Sequence, residues 1–303
     1  MTAPRIAGAA LLALAACHAR GTGTVQVFIE AEDTITDGLD PGDGEEDIVD
    51  GWAVRYDKFL VTIGDFHARP SDDDALGFTD DAVYIADLKR LPAGGLILTE
   101  FSDAALRWDH VGYSLPDADE RAEAAAGLAD ADHARMVAGG YSLYVEGEIR
   151  KADGRSCLPG DPDACAPAPV VRFAWGLRAG TSFADCAGPD GVAGFAIPAG
   201  GTVQVKPTVH GDHWFFTTLT QGAEITRRRA QWIADADLDR DGETTLAELR
   251  QIPAFKLFPA ELGYNLSGAL IPIVTAYDYL EAQARTLGDF QGEGECPTRD
   301  ILR

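Results

Sequence analysis

Acidic side chains over residues 237–248 are spaced as ligands for a hard metal ion. The stretch places carboxylates at Asp237, Asp239, Asp241 and Glu248, and a glycine at Gly242. A hard cation such as Ca²⁺ takes about six to eight oxygen ligands, so the chain must coil tightly around it. The glycine permits the sharp turn that such coiling needs. Without a cation, carboxylates this close would repel one another.

The register of this stretch resembles the calcium loop of the EF-hand family, whose ligands lie at about positions 1, 3, 5, 7, 9 and 12 with glycine at position 6. By that resemblance Glu243 offers its backbone carbonyl, Thr245 acts directly or through a water, and Glu248 binds with both oxygens. The alternative is an acidic helix start with Asp residues as N-caps. Because Pro253 follows soon after and no second loop is present in the sequence, we expect a fixed calcium clamp and not an opening sensor.

A second set of possible metal ligands is His210, Asp212 and His213, at the end of a predicted strand. Two imidazoles and a carboxylate at this spacing suit zinc or copper, and His67 or His110 would complete the shell. The alternative is that these histidines bond to the backbone or to neighbouring carboxylates. Both interpretations remain open from the sequence.

Tryptophan residues accompany these histidines in the middle of the chain, at Trp108, Trp175 and Trp214. Together with the cysteines, they give this region a resemblance to periplasmic β-sandwich proteins associated with bacterial copper handling, of the kind linked to methanobactin operons. The resemblance implies a copper-binding or copper-trafficking role and carries no motif that assigns individual residues. Aromatic side chains of a sandwich are also common core residues.

The N-terminal segment has one positive charge at Arg5 and then an apolar run over 6–16 that ends in Leu14-Ala15-Ala16-Cys17. It resembles a bacterial lipoprotein signal peptide, which implies cleavage before Cys17 and a diacylglyceryl group on its thiol. An ordinary secretory signal with a chance cysteine is the alternative. The run is shorter than the about 20 residues that span a bilayer. We therefore expect a cell-envelope protein anchored by lipid in the outer membrane or periplasm, with His18 favouring the outer membrane.

The charge balance limits the classes of partner. The chain of 303 residues has 49 acidic and 25 basic side chains and a net charge of −24. Such a charge repels nucleic acid and favours divalent cations, so no nucleic-acid partner is expected. Nucleophile-elbow, zinc-protease, phosphate-loop and dinucleotide motifs are all missing from the sequence, which predicts a non-catalytic protein. A calcium-dependent glycan-binding or protein-binding module is a further alternative.

Four cysteines remain after Cys17, and in an exported chain an even number suggests two disulfides. Three connectivities are possible. We favour Cys157–Cys165, which closes a short loop, and Cys186–Cys296, which fixes the C-terminus to the body. A zinc site with four thiolates is the alternative, although no Cys-x-x-Cys pair is present.

The elements that must position these residues are mostly strands. Alternating or apolar runs predict strands at 25–31, 54–63, 82–88, 96–102, 105–115, 141–149, 170–177, 194–197 and 202–210. Short strands in such number favour a mainly β fold, an antiparallel β-sandwich. The Ala- and Glu-rich stretch 117–129 predicts a helix. The acidic stretch 33–50 fits no calcium motif, and a solvated loop is favoured there over a second calcium site.

Helical periodicity appears after the strands. It predicts a helix over 224–236 that enters the acidic loop, and another from Pro272 to Leu287, with Pro272 in the first turn. The expected organisation is a signal peptide (1–16), a lipidated tether (17–24), a β-sandwich domain (25–222) and a helical, EF-hand-like segment packed on the sandwich (223–303).

Overall fold

The computed structural model describes residues 21–73, 75–161, 163–219 and 227–302. Within these ranges the protein is mainly β, which confirms the predicted class. No helix in the described ranges is long and apolar enough to cross a membrane. The lipoprotein signal and Cys17 lie outside the described residues.

The strands follow one another along the whole described chain. In order they are β1 (Thr22–Ile29), β2 (Ala53–Arg69), β3 (Phe78–Asp87), β4 (Leu96–Ala104), β5 (Arg107–Trp108), β6 (His110–Leu115), β7 (Glu123–Ala124), β8 (Leu143–Arg150), β9 (Arg155–Cys157), β10 (Cys165–Pro167), β11 (Val170–Leu177), β12 (Thr181–Ala184), β13 (Phe195–Ala196), β14 (Thr202–Val205), β15 (Pro207–Val209), β16 (Glu243–Thr244), β17 (Gly288–Phe290) and β18 (Thr298–Ile301).

The helices are short and most of them lie in the last third of the chain. They are α1 (Asp33–Thr36), α2 (Asp130–Gly139), α3 (Gln231–Ala236), α4 (Leu246–Leu249), α5 (Ala254–Leu257) and α6 (Ala276–Ala284). Three single 3₁₀ turns accompany them in the described ranges, at Leu88–Arg90, His213–Phe215 and Ala260–Leu262.

The largest sheet is built around the long strand β2, which pairs with β3, β6 and β8. Its main path runs β16-β11-β8-β2-β6-β12-β18, while β3 continues sideways to β7. Most ladders are antiparallel, but β11–β16 and β3–β7 are parallel. Strand β11 shows why the sequence forms this sheet: every second side chain is buried, at Val171, Phe173, Trp175 and Leu177.

A second sheet has the order β14-β1-β4, with β1 and β14 parallel. Strand β1 buries the alternate residues Val25, Val27 and Ile29. Phe101 on β4 stacks on Phe78 on β3, with ring centroids 3.4 Å apart. Side chains from both sheets therefore belong to one hydrophobic core, and burying such a side chain contributes about 1.5–3 kcal/mol.

Two disulfides join Cys157 to Cys165 and Cys186 to Cys296, the pairs favoured from the sequence. The first links β9 to β10, which form a two-stranded ladder. The second ties the segment after β17 to the end of β12, and both of its cysteines are fully buried.

The helix predicted over 117–129 is wrong. Turns and the two-residue strand β7 occupy this stretch, and the helix comes later, as α2. The alanines that suggested a helix are used for close packing: Ala118, Ala122 and Ala125 are buried, and the N–H of Ala125 donates to the carbonyl of Ile85 on β3. Pairing with a sheet edge outweighs the small helix propensity of alanine.

Both C-terminal helices begin later than predicted. Residues 220–226 lie outside the described ranges, and α3 begins only at Gln231, because the backbone of Arg227 and Arg229 pairs with the backbone at Thr217 and Phe215. Helix α6 begins at Ala276, after a capping box formed by Thr275 and Asp278, so Pro272 is not in its first turn.

Candidate functional site

The acidic loop 237–248 connects α3 to α4 at the end of the large sheet. Within it, β16 runs parallel to β11, with Glu243 opposite Arg172 and Thr244 opposite Phe173. The N–H of Arg172 also donates to the carbonyl of Gly242, at 2.9 Å. The loop is therefore hydrogen-bonded to the sheet through its own backbone.

Thr244 fixes the middle of this loop. Its side chain is fully buried, and its hydroxyl donates to the carbonyl of Ile233 in α3, at 2.5 Å. The indole N–H of Trp175 donates to the carbonyl of Thr244, at 2.8 Å. Threonine at this position gives the Ile233 carbonyl a buried hydrogen-bond donor, which an aliphatic residue could not supply.

Three of the predicted ligands converge at the mouth of the loop. Ligand oxygens of Asp237, Asp239 and Glu248 all lie within 4.8 Å of one another, and Asp237 and Glu248 are buried. Asp237 accepts hydrogen bonds from the N–H groups of Asp241, at 3.1 Å, and Gly242, at 3.0 Å. Gly242 has a φ of +88°, which a residue with a side chain rarely adopts.

Glu248 closes the loop from its far end. One carboxylate oxygen accepts from the N–H of Leu238 and the other from the N–H of Thr245, both at 2.8 Å. Thr245 and Glu248 form a capping box that starts α4. The carboxylate of Asp241 is not in the converging group and accepts from the N–H of Glu243, at 2.9 Å.

The charge of this site is unfavourable without a cation. Burial raises the pKa of the Asp237 carboxyl, backbone N–H groups lower it, and the negative charge of Glu248 raises it again. A bound cation would remove the repulsion between these two carboxylates.

His210 lies in a different group of ligands, between β15 and α6. Strand β15 pairs with β17, which places Thr208 opposite Asp289 and brings the Asp289 side chain to His210. Nδ1 of His210 lies 2.8 Å from a Glu32 oxygen, and Nε2 lies 3.0 Å from Oδ2 of Asp289. Burial alone would lower the pKa of His210, but Asp289 and Glu32 raise it to about 11.

His213 stacks against His210, with ring centroids 5.0 Å apart. Its Nδ1 lies 3.0 Å from the hydroxyl oxygen of Thr286. Burial, and then the charge of His210, lower the pKa of His213 to about 4. Ligand atoms of His210, His213 and Asp289 lie within 4.8 Å of one another, and a ligand atom of Glu293 forms a similar group with His210 and Glu32. The two imidazoles of the predicted set are therefore adjacent.

The predicted carboxylate of this set is directed elsewhere. Asp212 forms an ion pair with Arg228, at 2.6 Å. His110 lies 2.9 Å from Asp185, and Nδ1 of His67 lies 3.1 Å from the carbonyl of Asp65, so neither joins the His210 group.

The carboxylates that do surround His210 come from distant parts of the sequence: Glu32, Asp289 and Glu293. Sequence reasoning missed them because only the β15–β17 pairing and the turn before α1 bring them together. No protein-family model, curated protein or solved structure matches this chain.

Proposed function

We propose that the protein is a non-catalytic, lipid-anchored cell-envelope protein that binds one structural Ca²⁺ in the 237–248 loop. The EF-hand-type ligand set is Asp237, Asp239, Asp241, the Glu243 carbonyl, Thr245 and Glu248. The observation that carries this proposal is the convergence of three carboxylates, two of them buried, within 4.8 Å. All ligands are oxygens, which suits calcium and not a softer metal.

The ion would hold the C-terminal third of the chain to the sheet. Asp237 ends α3 and Glu248 lies in α4, so an ion bound to both carboxylates fixes the two helices relative to β16. Arg240, at the tip of the loop, donates to the carbonyl of Ala164 in the Cys157–Cys165 loop, at 2.7 Å. Calcium therefore has a structural role, connecting three neighbouring segments.

The rest of the proposal concerns architecture and location. The two sheets form a β-sandwich whose ladders are mostly antiparallel, and the helices after residue 223 form its EF-hand-like appendage. Support comes from the shared core and from the contact of Phe101 with Phe78 across the sheets. Lipid on Cys17 anchors the protein, so Cys17→Ala should move it from the membrane fraction to the soluble fraction. Unchanged membrane association would refute the anchor.

The calcium proposal is tested by thermal unfolding of chelator-treated protein with and without calcium. At a calcium concentration of about 100 times Kd, the free energy of unfolding should rise by about 2.7 kcal/mol. For a chain of 303 residues that corresponds to a rise in Tm of roughly 4 °C. Magnesium at the same concentration should give a smaller rise, because it requires a stricter octahedral geometry.

Variants distinguish calcium binding in the 237–248 loop from a general effect of net charge on stability. Glu248→Gln removes a charged ligand and should abolish the calcium-dependent rise, as should Asp237→Ala. The matched control is Asp153→Asn, which removes an exposed charge outside the loop and should keep the full rise. Equal unfolding curves with and without calcium in the unmutated protein would refute the proposal.

A further inference from the structure

The imidazoles of His210 and His213 each contact an oxygen atom through Nδ1, as metal-binding histidines commonly do. Thr286 donates its hydroxyl hydrogen to the carbonyl of Gln283, at 2.8 Å, so its oxygen is left to accept from Nδ1–H of His213. Glu32 accepts in the same way from Nδ1–H of His210. Each acceptor orients its imidazole through Nδ1–H, so Nε2 is the nitrogen that can bind a metal, and in His210 the metal would take the place of the Nε2 proton.

The third ligand is oriented by the backbone. Oδ1 of Asp289 accepts from the N–H of Cys296, at 3.3 Å, and Oδ2 faces His210. Although Nε2 of His210 is buried and only 3.0 Å from that oxygen, it makes no hydrogen bond of acceptable angle in the described structure. His210 is 6% exposed, so this nitrogen is a buried polar atom directed at a carboxylate without being satisfied by it.

The charges around this nitrogen also favour a cation. Glu32, Asp289 and Glu293 surround His210, whereas the nearby positive group, Arg228, is already paired with Asp212. Even a protonated His210 balances only one of three carboxylates. Glu32 and Asp289 are partly buried and share the single charge of His210, so one negative charge remains in excess, and a divalent ion would neutralise it.

We propose that the protein has a second metal site, which binds one Zn²⁺ through Nε2 of His210, Nε2 of His213 and Oδ2 of Asp289. Glu293 or a water supplies the fourth ligand, and Glu32 and Thr286 position the two imidazoles from outside. Ligand atoms now up to 4.8 Å apart must approach to about 3.4 Å, the separation in a tetrahedral site with bonds of about 2.0–2.1 Å. Two imidazoles with carboxylate, and no thiolate, match zinc.

The site is tested on tag-free, full-length protein stripped of metal and kept in millimolar calcium, so that the acidic loop is filled. Titration with ZnCl₂ against a chromophoric chelator should show one tight equivalent per chain. Co²⁺ in place of zinc should give the strong visible bands of a four-coordinate ion. The same titration with CuCl₂ shows whether copper binds the same ligands.

Variants assign the ligands. His213→Gln and Asp289→Asn should each weaken zinc binding by more than about 100-fold and abolish the cobalt bands, whereas Glu32→Gln should weaken zinc by about 10–100-fold and keep them. His110→Gln is the matched control, because His110 also lies beside a carboxylate. This variant should leave both the zinc affinity and the cobalt bands unchanged.

Two results would overturn the inference. One is zinc binding of equal strength in the unmutated protein and in both ligand variants, which would reflect only the acidic surface. The other is the absence of a tight equivalent in protein whose circular dichroism shows it to be folded. Because Glu248→Gln should leave zinc binding intact, failure of the calcium site and failure of this site are distinguishable.

Discussion

Replacing Asp235 with asparagine should make the protein more stable at alkaline pH. Asp235 lies in α3, and its Oδ1 accepts from the N–H of Cys157, at 2.7 Å, and from Nε2 of Gln231, at 2.8 Å. The amide oxygen of asparagine can accept both hydrogen bonds. Burial raises the pKa of Asp235 to about 6, the two hydrogen bonds lower it, and the nearby charge of Asp50 adds to the increase.

The magnitude follows from this shift. An aspartate with a pKa of 3.8 when unfolded and about 6 when folded binds more protons in the folded state between these values. Stability therefore falls as the pH rises through this window, by about 3 kcal/mol in total at about 1.36 kcal/mol per unit. Asp235→Asn should remove the whole penalty at about pH 8 and gain less than about 1 kcal/mol at about pH 4.

The assay is urea denaturation followed by tryptophan fluorescence at both pH values, with the calcium concentration held constant. Asp163→Asn is the control, because Asp163 is exposed in the neighbouring disulfide loop and its loss changes the net charge equally. The control should shift stability by less than about 0.5 kcal/mol. If Asp235→Asn were destabilising at about pH 8, or if its gain were independent of pH, the reasoning would be refuted.

Two further predictions concern stability and use the same denaturation assay. The disulfides close loops with sequence separations of 8 and 110. Replacing Cys157 and Cys165 by serine should therefore lower the free energy of unfolding by about 2.5 kcal/mol, and replacing Cys186 and Cys296 should lower it by about 4.8 kcal/mol. Equal losses would contradict the loop-entropy argument. Arg285 is buried and pairs with a Glu281 oxygen at 2.6 Å. Arg285→Met leaves the Glu281 charge without its partner and should lower the free energy of unfolding by about 3–5 kcal/mol. Loss of an exposed ion pair should lower it by less than about 1 kcal/mol.

The sequence predicted local features well and distant contacts poorly. The spacing of the 237–248 loop depends on neighbouring residues, so its turn at Gly242 and the closeness of Asp237 to Glu248 follow from one short stretch. Strands such as β11 also carry their signal locally, in the alternation of buried and exposed side chains. The helix expected at 117–129 failed because helix propensity is weak beside tertiary pairing with β3.

The carboxylates around His210 show the limit of sequence reasoning more clearly. Asp212 is adjacent in sequence and was the natural choice, but Arg228 holds it away. Asp289 reaches His210 only because β17 pairs with β15 in one particular register, with Gly288 opposite Val209. A shift of one residue would turn Asp289 to the other face of the ladder. No local pattern encodes that register.

The pairing of β16 with β11 would support the proposed calcium loop without a paired second loop. Calcium loops that occur in pairs stabilise each other through a short strand, and here β11 supplies that strand at Arg172 and Phe173. The same contact covers part of an edge strand, whose free N–H and C=O groups would otherwise be open to pairing with another chain. Because Trp175 and Thr244 add hydrogen bonds at this edge, the sheet could replace a partner loop as the support for the proposed ligands.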